Sequence, residues 1–136
     1  MRFLLTSILL LGFIYSNYQE GEFVSEEDQN ITMYTCFAGN GYADGDPWQL
    51  SDWNGALNGG HYNVIYIEMS ASWWGPCYTK HNSPAGEVHH MFEDYDNVKF
   101  LIAFSDPNQP YSCREWGLMP EGGASQIIHD EGSIIW

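Results

Sequence analysis

The chain has 136 residues, about one domain's worth, and 44% of them are hydrophobic, which is enough for a buried core. Four Lys and Arg residues stand against 18 Asp and Glu residues, so the formal net charge at pH 7 is −14. This charge repels phosphate backbones and anionic membrane surfaces, and we therefore expect no nucleic-acid partner.

The first 19 residues have the layout of a secretory signal. Arg2 precedes an apolar stretch at 3–15, and a polar, acidic segment follows. The apolar stretch is short for a bilayer-spanning helix, which needs about 20 residues. We expect residues 1–19 to be a signal peptide or an uncleaved N-terminal anchor, the latter being the one link to a membrane. The folded part is then secreted or periplasmic, where disulfides persist.

The next segment, 20–44, is interpreted as an acidic, turn-rich linker and lead-in, and 45–136 as the folded domain. Sequence typical of irregular or hairpin-bearing structure continues to Gly60. The run Asn63 to Met69, "NVIYIEM", is β-branched and aromatic and is bounded by glycines and small residues. Its length and composition predict a buried parallel strand.

The remaining elements alternate between helix and strand. A helix is predicted to begin at Gly75–Pro76–Cys77, because proline suits the first helical turn. Apolar residues at helical spacing predict a second helical segment at 87–95. A core strand, a short helix capped by Ser112 and two short strands around a turn at 130–132 follow, the strands lying in 97–105 and 125–136. This order predicts α/β architecture with a central mixed sheet flanked by helices.

The segment "ASWWGPC", Ala71 to Cys77, resembles the Ala-Ser-Trp-Cys-Gly-Pro-Cys motif of the thioredoxin-like superfamily, differing only at Trp74. More narrowly, it is similar to the extracytoplasmic thioredoxin-like and peroxiredoxin-like branch. "FSDPNQPYSCREWG" and "IIHDEGSII" resemble later family segments, so the likeness covers roughly 45–136. The resemblance implies a thioredoxin-like fold, thiol-disulfide exchange and no cofactor.

Two features depart from the family pattern. Relatives carry a cis-proline just before the final hairpin, whereas the nearest alignments here put Ala124 at that place or leave Pro120 a few residues early. Members of the family also end with a helix that covers the sheet. The present sequence stops at Trp136 and does not include such a helix. We expect a truncated sequence, or a face covered by the lead-in or by a partner.

By position in the motif, Cys77 is the sheltered resolving thiol, and Trp74 replaces the exposed attacking thiol. Three interpretations follow. In the first, Cys77 retains monothiol chemistry with protein thiols or disulfides, or pairs with Cys113. In the second, the domain is a non-catalytic module that holds a peptide or partner on an aromatic rim of Trp73, Trp74 and Tyr78, around Gly75 and Pro76. In the third, position 74 is a misread cysteine or a recoded selenocysteine, which the codon would reveal.

Several further side chains carry open questions. Glu68 lies inside the first predicted strand, where it is either a buried proton acceptor behind Cys77 or a residue on a solvated edge. His81, His89 and His90 lie near acidic residues and invite a metal hypothesis, but His89 and His90 point about 100° apart on one helix, so we expect no metal site. Cys36, Cys77 and Cys113 make an odd set, which leaves at least one thiol unpaired or paired outside the chain.

Overall fold

The computed structural model describes residues 18–82, 91–92 and 94–130. Within these ranges the chain is an α/β protein with a five-stranded mixed sheet in the order β2-β1-β5-β4-β3. In chain order the elements are α1 (Glu26–Gln29), β1 (Met33–Phe37), β2 (Pro47–Trp48), a 3₁₀ helix (Leu50–Trp53), β3 (Val64–Ala71), α2 (Gly75–His81), β4 (Val98–Ser105), α3 (Cys113–Leu118) and β5 (Gln126–His129).

Three strands, β3, β4 and β5, form the parallel half of the sheet. The strands β3 and β4 pair in register over all eight residues, from Val64 opposite Val98 to Ala71 opposite Ser105. The two predicted strands are thus confirmed, and β4 is almost wholly buried, as a central parallel strand should be. The prediction of a buried strand at 63–69 is wrong, because β3 is an edge strand and exposes several apolar side chains.

Alternate residues of the strands face two separate cores. One face packs against α2 and α3 through a cluster of Cys77, Ile102, Phe104, Cys113, Trp116 and Ile127. The other face carries Met33, Trp48, Trp53, Leu101, Ala103 and Ile128. The 3₁₀ helix and β2 supply the two tryptophans of this second cluster, so residues 47–53 cover that face of the sheet.

The antiparallel half is built around β1, which lies in the predicted lead-in. The strand β1 pairs with both β5 and β2, so the sheet extends into the segment that the sequence assigns to a linker. A buried amide joins the two halves: Gln126 donates to the Thr35 hydroxyl at 2.9 Å and accepts from Asn40 at 3.2 Å. Gly39 must lack a side chain, because a Cβ atom there would lie 2.5 Å from the backbone nitrogen of Gln126.

The predicted helix starts are confirmed. The helix α2 begins at Gly75, and Ser112 caps α3 by accepting from the amide of Glu115, whose carboxylate accepts in turn from the Ser112 amide. The predictions at 87–90 and 131–136 lie outside the described residues. Within the described ranges no helix is both long enough and apolar enough to cross a bilayer.

Candidate functional site

The motif lies where β3 passes into α2. The strand ends at Ala71, whose carbonyl accepts from the Trp74 amide at 3.1 Å and so closes a tight turn. Trp74 is the N-cap of α2, and Pro76 lies in the first helical turn, where a missing amide hydrogen costs nothing. This local geometry places Cys77 at the third helical position, facing the sheet.

The loop after β4 holds this turn in place. The Ser72 hydroxyl donates to the Gln109 carbonyl at 2.7 Å, and the Trp73 indole nitrogen donates to the Asp106 carboxylate at 3.1 Å. In this loop Asp106, which is itself one of the acceptors, and Asn108 adopt positive φ angles of 50° and 73°, which asparagine and aspartate tolerate better than most residues. Side chains of the motif turn therefore tie it to the loop after β4.

Three aromatic side chains form an exposed rim around the turn, which we call the aromatic rim: Trp73, Trp74 and Tyr78, with exposed fractions of 60%, 50% and 42%. Tyr78 stacks on Tyr111 with the ring centroids 5.8 Å apart and an angle of 20° between the planes. At Gly75 an added Cβ atom would meet nothing within 4 Å. The mouth of the site is thus open, apolar and partly preorganised by stacking.

The sulfur behind this rim is sheltered. Cys77 is a free cysteine with an exposed fraction of only 6%, and it belongs to the core cluster that contains Phe104 and Trp116. The sequence-based prediction that Cys77 is the inner thiol of the motif agrees with this burial. Trp74, at the position of the outer thiol, offers no nucleophile.

Cys113 is bonded elsewhere. It forms a disulfide with Cys36 of β1, with the Cα atoms 5.9 Å apart, within the usual range. The suggested pairing of Cys77 with Cys113 is therefore wrong for this structure. The physical reason lies in the sheet: β1 runs beside β5, and α3 packs against β1, so the start of α3 faces Cys36. Sequence spacing alone contains no sign of this contact.

Glu68 lies at the open edge of the sheet. Its carboxylate accepts from the Lys80 ammonium group at 2.9 Å, and its side chain is one-fifth exposed. Burial opposes the charge on Lys80, yet the hydrogen bond and charge of Glu68 raise the pKa of Lys80 above its ordinary value. Glu68 thus has a specific cationic partner, in keeping with the edge alternative rather than with a proton acceptor for Cys77.

His81, which the sequence analysis considered only as a candidate metal ligand, is a core residue. Its imidazole stacks on the Trp116 indole, and its Nε2 lies 2.7 Å from the Trp116 carbonyl oxygen. Burial lowers the pKa of His81, although the carbonyl hydrogen bond and the charge of Glu68 act in the opposite sense. The four-residue spacing between Cys77 and His81 puts both side chains on the inner face of α2, and this spacing could have predicted the burial of His81.

A small cavity of about 90 Å³ opens beside the C-terminal end of α2. Its lining includes Glu68, Lys80 and His81 together with Pro120 and Ala124. These last two are the positions considered for a cis-proline, and they lie by the end of α2 rather than by the aromatic rim. The cis peptide bond of the described chain is Gln109–Pro110, in the loop that holds Ser72.

None of the known protein families, the curated proteins or the solved structures matches the chain. Among the described residues, no group of three His, Cys, Asp or Glu side chains is placed to hold a metal ion. The functional interpretation therefore depends on the motif and on the geometry around it.

Proposed function

We propose that the chain is an exported thioredoxin-like protein whose motif derives from that of the thiol-disulfide oxidoreductases. In this protein the site binds polypeptide and does not carry out two-thiol exchange. One observation carries the proposal: the sulfur of the motif is buried, whereas the aromatic side chains around it are exposed. Thiol exchange needs an accessible nucleophile at the mouth of the site, and the motif presents none there.

The chemistry of the aromatic rim suits a polypeptide ligand. Tryptophan and tyrosine bury a large apolar area, and their polar atoms can still pair with peptide groups. Trp73 is already held by Asp106, and Tyr78 by stacking on Tyr111, so both lose less side-chain entropy on binding. Among the described residues, no side-chain hydrogen bond or ring contact holds Trp74, which makes it the freest member of the rim.

The disulfide supports the proposed location. Structural disulfides persist in secreted and periplasmic proteins, whereas reducing pathways open them in the cytosol. The Cys36–Cys113 bond joins β1 to α3, which makes it part of the core and not a surface feature. An extracytoplasmic chain is the simplest setting in which this bond forms and lasts.

Binding is tested with an unfolded polypeptide whose thiols are blocked, such as the carboxamidomethylated B chain of insulin. We expect micromolar binding by the wild type and a loss of about tenfold in Trp74→Ala, the scale of one exposed interface tryptophan. Tyr34→Ala is the matched control, because Tyr34 is an exposed aromatic residue of β1 and not part of the rim. Equal weakening by both substitutions, or by neither, would contradict the proposal.

Monothiol exchange is the second candidate, because Cys77 is a free cysteine of the described chain. It predicts that oxidised glutathione forms a mixed disulfide with the native protein, with one glutathione thiol released. Mass spectrometry detects this adduct, and Cys77→Ser is its control. Failure to form the adduct except under unfolding conditions would leave polypeptide binding as the function.

A further inference from the structure

The outer edge of β3 is unpaired within the described part of the chain. β3 is the terminal strand of the sheet, and β4 is the neighbour with which it pairs. Three apolar side chains stand exposed along it, Val64, Tyr66 and Met69. Proteins usually protect such an edge with charges, prolines or bulges, and the register of β3 is regular over its full length.

The backbone of β3 has a defined outward set of hydrogen-bonding groups. The amide of Val64 donates to the Asn97 carbonyl at 2.8 Å, toward β4. In a parallel pair, the N–H and C=O of one residue point to the same side, and successive residues alternate. The even-numbered residues of β3 therefore bond to β4, and the odd-numbered residues Ile65, Ile67 and Met69 present their N–H and C=O groups to the open edge.

We propose that the polypeptide bound by this protein is an extended, positively charged segment that pairs with β3 as a sixth strand. This inference rests on the proposed function and names its ligand class. Main-chain bonds to the outward groups of Ile65, Ile67 and Met69 supply the pairing, as in other proteins that bind peptides by strand addition. Since β3 runs straight into the turn of Trp73 and Trp74, a segment on this edge reaches the aromatic rim.

Charge decides which occupant fits. The net charge of −14 makes two copies of the chain repel each other and attracts a basic segment. The ion pair of Glu68 with Lys80 at this edge has no net charge, so it leaves that balance unchanged. A basic partner segment with alternating small apolar residues would pair with the backbone groups of β3 and would be attracted by the negative charge of the chain.

The test uses a capped eight-residue peptide of alternating valine and lysine, with a valine–glutamate peptide for comparison. The protein variants are Met69→Pro, which removes one outward amide hydrogen, and Met69→Leu, which keeps it. Because the Met69 amide points away from β4, proline there leaves the β3–β4 ladder intact. We expect Met69→Pro to weaken binding of the lysine peptide about tenfold and Met69→Leu to change it less than twofold.

Hydrogen exchange keeps the proposal testable if Met69→Pro fails to fold. In the wild type, the amides of Ile65, Ile67 and Met69 should exchange fast without peptide and become protected with the lysine peptide. Protection already present in the free monomer would show that the chain covers its own edge. Concentration-dependent protection would show a second copy, and equal binding of the glutamate peptide would remove the charge argument; each of these results overturns the inference.

The inference and the proposed function fail in different ways. If Trp74→Ala weakens binding of the blocked insulin chain but Met69→Pro leaves peptide binding unchanged, the rim stands and the strand pairing is refuted. If the wild type binds neither probe, both are refuted.

Discussion

The imidazole of His81 lies flat on the indole of Trp116, with the ring centroids 4.2 Å apart and the planes 8° from parallel. Its Nε2 faces the carbonyl oxygen of the same tryptophan at 2.7 Å. A carbonyl oxygen only accepts, so the proton of the neutral ring lies on Nε2. This stack anchors the end of α2 to α3, and through Phe104 it continues to the centre of the sheet.

The stack predicts a loss of stability in mild acid. Burial lowers the pKa of His81 in the folded chain, and the unfolded chain regains the ordinary value of 6.5. Between these two values the unfolded state binds more protons, so the free energy of unfolding falls as the pH drops below about 6.5. Urea unfolding of the wild type at pH 7.5, 6.5 and 5.5 measures this slope.

Two variants isolate the contribution of His81. His81→Phe keeps an aromatic ring on Trp116 without a titrating group, so its stability should fall less between pH 7.5 and 5.5. His61→Gln removes an exposed histidine of a loop and should behave as the wild type does. If His81→Phe loses as much stability on acidification as the wild type, the buried imidazole is not the cause.

The disulfide predicts a large dependence of stability on reductant. Cys36 and Cys113 are separated by 77 residues, and chain-entropy estimates for a loop of that length give about 4 kcal/mol. Reduction, or the double substitution of both cysteines by serine, should lower the free energy of unfolding by an amount of this order. Denaturant unfolding with and without a phosphine reductant measures the difference.

Cys77→Ala is the matched control for this prediction. It removes a buried thiol from the same cluster, leaves the disulfide intact, and should therefore keep the full sensitivity to reductant. Peptide mapping without reduction should find Cys36 linked to Cys113, and Cys77 alkylated only after unfolding. A linkage that includes Cys77 would refute the assigned pairing.

Local patterns were sufficient to predict several elements. The run at 97–105 is largely apolar because β4 is an interior strand of the sheet, and its composition directly reports burial on both faces. The start of α3 was predictable because Ser112 and Glu115 form a cap within four residues. The burial of Cys77 followed from its place in the motif, since the first helical turn there faces the sheet.

Other features depend on contacts between distant residues, which local patterns do not encode. Gln126 is a buried amide only because Thr35 and Asn40, about 90 residues earlier, supply its hydrogen bonds. The pairing of Cys36 with Cys113 depends on the same return of β1 into the sheet. The apolar run of β3 predicted burial, but the same composition occurs on an edge, where one row of backbone groups lacks a neighbouring strand.

The last prediction concerns position 74 itself. In an insulin-reduction assay with dithiothreitol, we expect the wild type to stay at the uncatalysed rate. Trp74→Cys should raise the rate about tenfold or more, because it restores an attacking thiol that Cys77 can resolve. Trp74 is half-exposed at the N-cap of α2, so a cysteine there would be accessible, with Cys77 three residues on in the first turn of α2.

The matched control is Trp73→Cys, which adds a thiol to the same turn at the wrong spacing. It should remain near the wild-type rate, because Cys77 then lies four residues away instead of three. Activity in the wild type equal to that of Trp74→Cys would show that Trp74 does not block exchange. If the wild type and Trp74→Cys are both inactive, the burial of Cys77 is what prevents exchange. In Trp74→Cys the nucleophile is present, so its mixed disulfide would then remain unresolved.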